Sequence, residues 1–340
     1  MKDLLWNAIE SLDDDLLAEH VEKRDSPKDA AFGQQKKGIR PLRAALIAAT
    51  AALLSAMLLF TLLFDRTPYA FMEHEGFYQI NTGNRTDPAF RHAEDLVTPD
   101  ELSPIPVTGT IPESITVNGE TLAVKDCLLH QGATLLYGLD AEKYTIPFIN
   151  DHTSPTVTVD ALTGRVTGIE NVAIDHSPGL GKTAEDYIGY ARTAVLTYLP
   201  YLDCEGLRIK NYASMLDHSS PNAYGFILFD YYLGDIRTAL RVSVFFGGGT
   251  IFSIGVYDYF DLSSLDGTPV IDREEHETLL TSFADYACGD MTEIQKTVSD
   301  GVLVMGAKGR YAMSYTMTLT AEDPDGKEHT QIFTLEIELD

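Results

Sequence analysis

The sequence predicts an α+β chain with tandem helix-plus-antiparallel-sheet modules outside a membrane, one transmembrane helix, and a short cytoplasmic amphipathic helix. Three observations predict it. An uninterrupted apolar run fills residues 44–64, an acidic stretch with helical periodicity precedes it, and short alternating strands broken by turn residues follow it. The division that results is a tail (1–43), a span (44–64), a juxtamembrane stalk (65–112) and three α+β modules (113–178, 179–268 and 269–340).

The tail comes first. Leu5, Ala8, Ile9, Leu12 and Leu16 recur at helical spacing, with Leu4 at the edge of the stripe and Asp13, Asp14 and Asp15 around the remaining sides. Ser26-Pro27 supplies a stop. Residues 2–22 carry a net charge of −6 and residues 23–43 a net charge of +5. An acidic polar face is repelled by anionic lipid, and a helix this short gains stability from a partner's groove. Leu5, Ile9, Leu12, Asp13, Asp14, Asp15 and Leu16 are therefore the expected partner-binding residues.

The span has 21 residues with no charge and no proline. As a helix rising ~1.5 Å per residue it would cover roughly 31 Å, the hydrocarbon thickness of a bilayer. Lys36, Lys37, Arg40 and Arg43 crowd its N-terminal side, while Asp65 and Arg66 cancel on the other. The positive-inside rule then predicts a type II single-pass protein of the cell membrane, touching lipid through 44–64, with residues 1–43 cytoplasmic and 65–340 extracytoplasmic.

Charge sharpens that expectation. The chain's 340 residues include 51 acidic and 25 basic side chains, for a formal net charge of −26, of which −25 falls on 65–340. Hydrophobic residues at 44% exclude a disordered acidic chain. The acidity argues against nucleic acid as a partner, because phosphate binding needs a basic footprint.

Beyond residue 64, prolines 68, 88, 99, 104, 106 and 112 read as a stalk. The first module runs from Ser114-Ile-Thr-Val-Asn-Gly119, with its Asn-Gly hairpin signal, to Thr156-Val-Thr-Val-Asp-Ala-Leu-Thr-Gly-Arg-Val166, whose last eight residues form a motif. Asp160 can bond the turn backbone and Gly164 can take positive φ, so this motif closes a hairpin. The second module begins with a helix over 184–198, followed by strands over 224–232, 241–246 and 251–257 around a Gly247-Gly248-Gly249 turn. The third begins with a helix over 273–287 and continues with strands over 302–305, 311–320 and 330–339, the last two joined at Asp323-Pro-Asp-Gly326. In the second and third modules, helix followed by antiparallel meander predicts α+β units with the helix packed on the sheet.

Two resemblances add to this. The opening Met1-Lys-Asp-Leu-Leu-Trp-Asn-Ala-Ile-Glu-Ser-Leu-Asp-Asp-Asp-Leu-Leu17 resembles that of single-pass proteins of Clostridia-type bacteria, some of them anti-sigma-factor-like regulators. The likeness covers roughly 20 residues and implies a sigma factor as cytoplasmic partner; the tail lacks the paired Cys of zinc-binding anti-sigma domains. The Val159–Val166 motif resembles the signature of PepSY-type modules, which implies an inhibitory or binding role outside the cell.

No residue pattern announces catalysis, a metal or a cofactor. Gly179-Leu-Gly-Lys-Thr183 imitates the end of a phosphate-binding loop, but His176 stands where the required glycine belongs, and Thr183 with Asp186 reads as a helix cap. The triple glycine has no Gly-x-Ser-x-Gly elbow to serve. His276, within Glu274-Glu-His-Glu277, reads as part of a surface turn of an acidic helix, and Asp258, Asp261 and Asp266 miss calcium-loop spacing. Cys127, Cys204 and Cys288 are expected to be buried thiols. Tyr187, Tyr190, Tyr198, Tyr201, Tyr224, Tyr231, Tyr232, Tyr257 and Tyr259 are expected to pack mostly in the core, a surplus on one sheet face making a contact surface. The expected function is a membrane-anchored regulator whose outer region binds a ligand or protein and whose tail holds a partner. The alternatives are an extracytoplasmic binding or protease-inhibitor-like protein with a plain anchor and, further off, an exterior hydrolase.

Overall fold

The computed structural model describes residues 69–83, 85–99, 103–141, 154–174, 183–213, 224–247, 250–265 and 267–339. All of these lie within one compact unit, 68–340. Helix α1 (Ala70–Glu73) and strand β1 (Phe77–Ile80) come first. The hairpin-forming strands β2 (Ser114–Val117), β3 (Glu120–Gln131), β4 (Thr134–Leu139), β5 (Thr156–Asp160) and β6 (Val166–Ile174) follow. Helix α2 (Ala184–Tyr198) leads to β7 (Leu207–Tyr212), β8 (Gly225–Leu233), β9 (Ile236–Gly247) and β10 (Thr250–Tyr257). Helix α3 (Arg273–Cys288) leads to β11 (Thr292–Val298), β12 (Val302–Met305), β13 (Tyr311–Glu322) and β14 (Glu328–Glu338).

Local chemistry explains these elements. In α2, Tyr187, Ala191, Ala194 and Val195 form one buried face, and Thr183 and Asp186 close a reciprocal capping box. In α3, Asp272 caps the first turn by accepting from the Glu274 and Glu275 amides at 3.0 Å each. Asn118 and Gly119 both take positive φ in the two-residue β2–β3 turn, as an Asn-Gly hairpin requires.

The assembly differs from the predicted fold class, and so corrects it. Strand occupies 47% of the described residues and helix 15%. The fourteen strands join in one hydrogen-bonded network, β1-β14-β13-β12-β9-β10-β6-β5-β4-β3-β2, with β8 also on β9, β7 on β8 and β11 on β13. Tandem PepSY-like modules do not form, because strands assigned to different modules pair with one another. β6 of the first lies antiparallel to β10 of the second, and β12 of the third runs parallel to β9 through Leu303 and Thr238. The physical reason is core size: a hairpin or two with one helix buries too little apolar surface alone. The apolar faces merge into two cores instead. The larger extends from Val117 to Phe260 and takes in Leu303 and Met313. The smaller gathers Phe71, Phe77 and Phe90 around α3, β13 and β14. Residues 69–97, within the stretch read as stalk, thus supply three core phenylalanines, and β1 pairs with β14.

The single-pass membrane reading is corrected as well. Among the described residues no helix is long and apolar enough to cross a membrane. The longest, α3, has 16 residues, or about 24 Å, and carries Arg273, Glu274, Glu275, Glu277 and Asp285. The transmembrane, type II and cell-membrane assignments have no described helix beneath them. The run 44–64 and the partner-binding residues Leu5, Ile9, Leu12, Asp13, Asp14, Asp15 and Leu16 lie outside the described residues.

Candidate functional site

The motif at the end of β5 folds as its residue types dictate. The Asp160 carboxylate accepts from the Thr163 amide at 2.8 Å and from the Thr163 hydroxyl at 2.7 Å. The Gly164 amide donates to the Asp160 carbonyl at 2.8 Å, and Gly164 adopts φ +70°. A proline-rich strap crosses this turn: Ile105 donates to Gly132, and Thr108 and Gly109 both donate to Ala161, each at 2.9 Å. The approach is so close that a Cβ on Gly164 would lie 2.2 Å from the Thr110 carbonyl oxygen.

Past the turn, Arg165 enters a cluster built from three separate segments. Its Nη1 lies 2.7 Å from an Asp261 carboxylate oxygen and 3.5 Å from the Tyr259 hydroxyl. Its guanidinium carbon sits 5.4 Å from the Tyr201 ring centroid, and the Tyr201 and Tyr259 rings meet edge-on at 5.6 Å. Burial would raise the Asp261 carboxyl, but hydrogen bonds from the Ser263 amide and hydroxyl, together with Arg165, hold it below its ordinary value. Burial pushes the Tyr201 phenol far above its ordinary range and also raises Tyr259, so both remain neutral. The Tyr201 hydroxyl is buried and has no hydrogen-bond partner among the described residues. Tyr201 and Arg165 line a cavity of about 390 Å³ between the C-terminal end of α2, β2 and the start of β6.

A second set of cavities follows the connection from β10 to α3, where the two cores meet. His276 is only 6% exposed and stands between two of them, of about 550 and 480 Å³. Its Nδ1 lies 2.7 Å from the Tyr315 hydroxyl. Burial lowers the His276 pKa against the pull of Glu275 and Asp272, and pushes the Tyr315 phenol up to about 12. The pair is uncharged at neutral pH. His74 Nε2 approaches Glu275 at 3.3 Å on the rim.

His276 is therefore not on a surface turn, as its acidic neighbours suggest, but faces the core with Leu279, Leu280 and Phe283. Thr183 is the helix cap that its spacing predicts. Of the cysteines, Cys288 is buried, and burial raises its thiol to about 11, whereas Cys127 and Cys204 are exposed; all three are free. Tyr187 and Tyr231 are core residues, while Tyr224 and Tyr257 are exposed. Sequence reasoning missed the convergence of Arg165, Tyr201, Tyr259 and Asp261. Each was visible in a motif, a tyrosine cluster or an aspartate series, but no spacing joins residues 165, 201 and 261.

Chemically, the Arg165 cluster is a compensated one. Its charge pair is closed on itself, and its tyrosines are far from ionising. Among the described residues, the hydrogen-bond partners found for the histidine rings are carboxylates, a backbone carbonyl, Gln79 and Tyr315, with no serine, threonine or cysteine among them. No group of three His, Cys, Asp or Glu side chains among the described residues could hold a metal ion. No protein-family model, characterised protein or solved structure matches the chain.

Proposed function

We propose that this chain is a non-enzymatic regulatory protein with two binding parts. Residues 69–339 recognise a ligand or protein, and the N-terminal stripe of Leu5, Ile9, Leu12 and Leu16, with Asp13, Asp14 and Asp15, engages a protein partner in an anti-sigma-factor-like way. The observation that carries the first part is the Arg165–Tyr201 cluster, whose side chains line a cavity of about 390 Å³. Charge compensation at 2.7 Å between Arg165 and Asp261 leaves that place suited to recognition by shape and hydrogen bonding. The second part is supported by the amphipathic pattern itself: a short acidic helix with one apolar stripe gains stability from a groove.

The test of the second part uses the full chain, wild type and Leu12→Asp, as bait in an extract of its source cells. Wild type should recover a sigma factor, and Leu12→Asp should lose it without loss of folded β structure by circular dichroism. Equal recovery by the two chains, or recovery of no sigma factor by wild type, refutes the tail's role and leaves a binding or inhibitory protein without that partner.

A further inference from the structure

Residues 85–97 form a belt that carries Phe90 into the smaller core, where its ring meets Phe333 edge-on at 6.0 Å. Two histidines fasten the belt, and they need opposite protonation states. At one end His329 of β14 lies between two carboxylates, 2.9 Å from Asp87 through Nδ1 and 3.0 Å from Asp323 through Nε2. Only the imidazolium has a proton for each. At the other end the Ala93 amide donates to Gln79 Oε1 at 2.7 Å, which turns the Gln79 Nε2 donor toward His92 Nδ1, also at 2.7 Å. That nitrogen accepts only while the ring is neutral. His92 Nε2 is buried without an acceptor among the described residues, so a cationic ring would lack one at either nitrogen.

We propose that this belt is a pH-sensitive latch, closed in a band around pH 6.5 and loosened in acid through His92 and in alkali through His329. The proposal goes beyond the function above and does not depend on it. Around His329 the charged groups are Asp87 on the belt and Asp323 and Lys327 in the turn, with Asp325 in that turn and the paired Glu322 and Glu328 one register step along the hairpin. Hydrogen bonds, led by those from the Ala89 and Lys327 amides, hold Asp87 and Asp323 below the ordinary carboxylate value, so neither titrates near neutrality. Around His92, Gln79 of β1, Tyr286 of α3 and Phe333 of β14 bring no charge, while Arg91, Glu94 and Asp95 beside it are exposed. The signs then follow. Asp87 and Asp323 raise the His329 pKa, so its contribution is complete below about 6.5 and is lost as pH rises through the folded value. Burial lowers the His92 pKa, so its contribution is complete above about 6.5 and is lost as pH falls toward the folded value. Two losses that run in opposite directions from one pH make a band. The alkaline release also has a defined place. The Asp323 turn is closed by its own bonds, the Asp325 and Lys327 amides donating to Oδ1 at 3.0 and 2.9 Å, so the remaining ring proton stays at Nε2 and Asp87 is the contact let go.

Hydrogen-exchange mass spectrometry of the full chain from about pH 5.5 to about pH 8 tests this, comparing peptides from 85–97 with peptides from β13. We expect protection of 85–97 to lie below that of β13, to peak near pH 6.5, and to fall on each side by up to about tenfold per pH unit. His329→Gln should remove the alkaline limb alone, and His92→Asn, which keeps an acceptor, the acid limb alone. Wild-type protection that is level, or that changes in one direction only, overturns the proposal. So does an alkaline limb that survives His329→Gln or an acid limb that survives His92→Asn. Equal protection of the belt and β13 overturns it too, because the belt would then open only with the whole fold. The wild-type profile decides the matter alone should a variant fail to fold.

Discussion

The Arg165–Asp261 pair offers a quantitative test of how the candidate site is held. Its two side chains are 33% and 30% exposed, so the pair is neither a free surface bridge nor a buried one. Asp261 accepts from Arg165 at 2.7 Å and from the Ser263 amide and hydroxyl at 3.0 and 2.8 Å. A charge-assisted hydrogen bond is worth about 1.5–3 kcal/mol, and partial exposure brings the expected coupling down to about 1–2 kcal/mol. The assay is a double-mutant cycle in urea with Arg165→Met, which keeps the stem over Tyr201, and Asp261→Asn, which keeps the shape. The folded pKa of Asp261 is depressed, so its contribution is present above the unfolded value of about 3.9 and is lost as pH falls through the folded value. The coupling should therefore be full at pH 7 and shrink toward zero in strong acid. A coupling below about 0.3 kcal/mol at pH 7, or one indifferent to acid, would refute the view that this ion pair organises the site.

Three further outcomes are expected. Gly164→Ala should destabilise the chain well beyond the ~1 kcal/mol typical of a positive-φ glycine, because its Cβ would meet the Thr110 carbonyl at 2.2 Å, whereas Gly326→Ala, with nothing within 4 Å, should cost only the conformational part; paired melting curves decide it. Tyr315→Phe strands the Nδ1 of His276 and should cost about 1–3 kcal/mol in urea titration, a neutral result showing that water already serves that nitrogen. His329 lies 2.9 Å from Asp87 through Nδ1 and 3.0 Å from Asp323 through Nε2, so both ring nitrogens donate only when the imidazole is cationic. The two carboxylates raise its pKa, so this stability is complete below about 6.5 and drains away as pH rises through the folded value; His329→Gln should flatten the melting temperature on that side of neutrality. An unaltered slope in the variant would show that the clamp does not titrate.

Much of the local structure was legible, for reasons that stop at the individual element. Thr183 with Asp186 marked the start of α2 because a capping box needs only residues three apart. Asn118-Gly119 and Asp160–Gly164 marked their turns because φ preference is local. Alternation likewise located β13 and β14, but it says which face of a strand is buried and nothing about the strand beside it. β6 takes Ile254 as a neighbour of Ile169, and β1 takes Glu336 as a neighbour of Tyr78, choices made by the whole apolar surface. His276 shows a signal that was present and overruled. Leu279, Leu280 and Phe283 follow it at helical spacing, yet the glutamates around it suggested solvent. The Arg165 cluster had no comparable signal, since its members come from a turn, a helix end and a loop.

The pairing of β1 with β14 has a consequence for how the chain is made. Tyr78 leaves the ribosome about 260 residues before its partner Glu336. At roughly 5–20 residues per second, that interval lasts on the order of 13–50 s. For most of it Phe71, Phe77 and Phe90 have no α3 to cover them, and for all of it no complete β14. Synthesis thus carries an early, aromatic, unpaired segment for most of its duration, and the smaller core cannot be completed until β14 has been made. A holding chaperone acting on residues 69–97 would guard the one stretch whose neighbours are translated last.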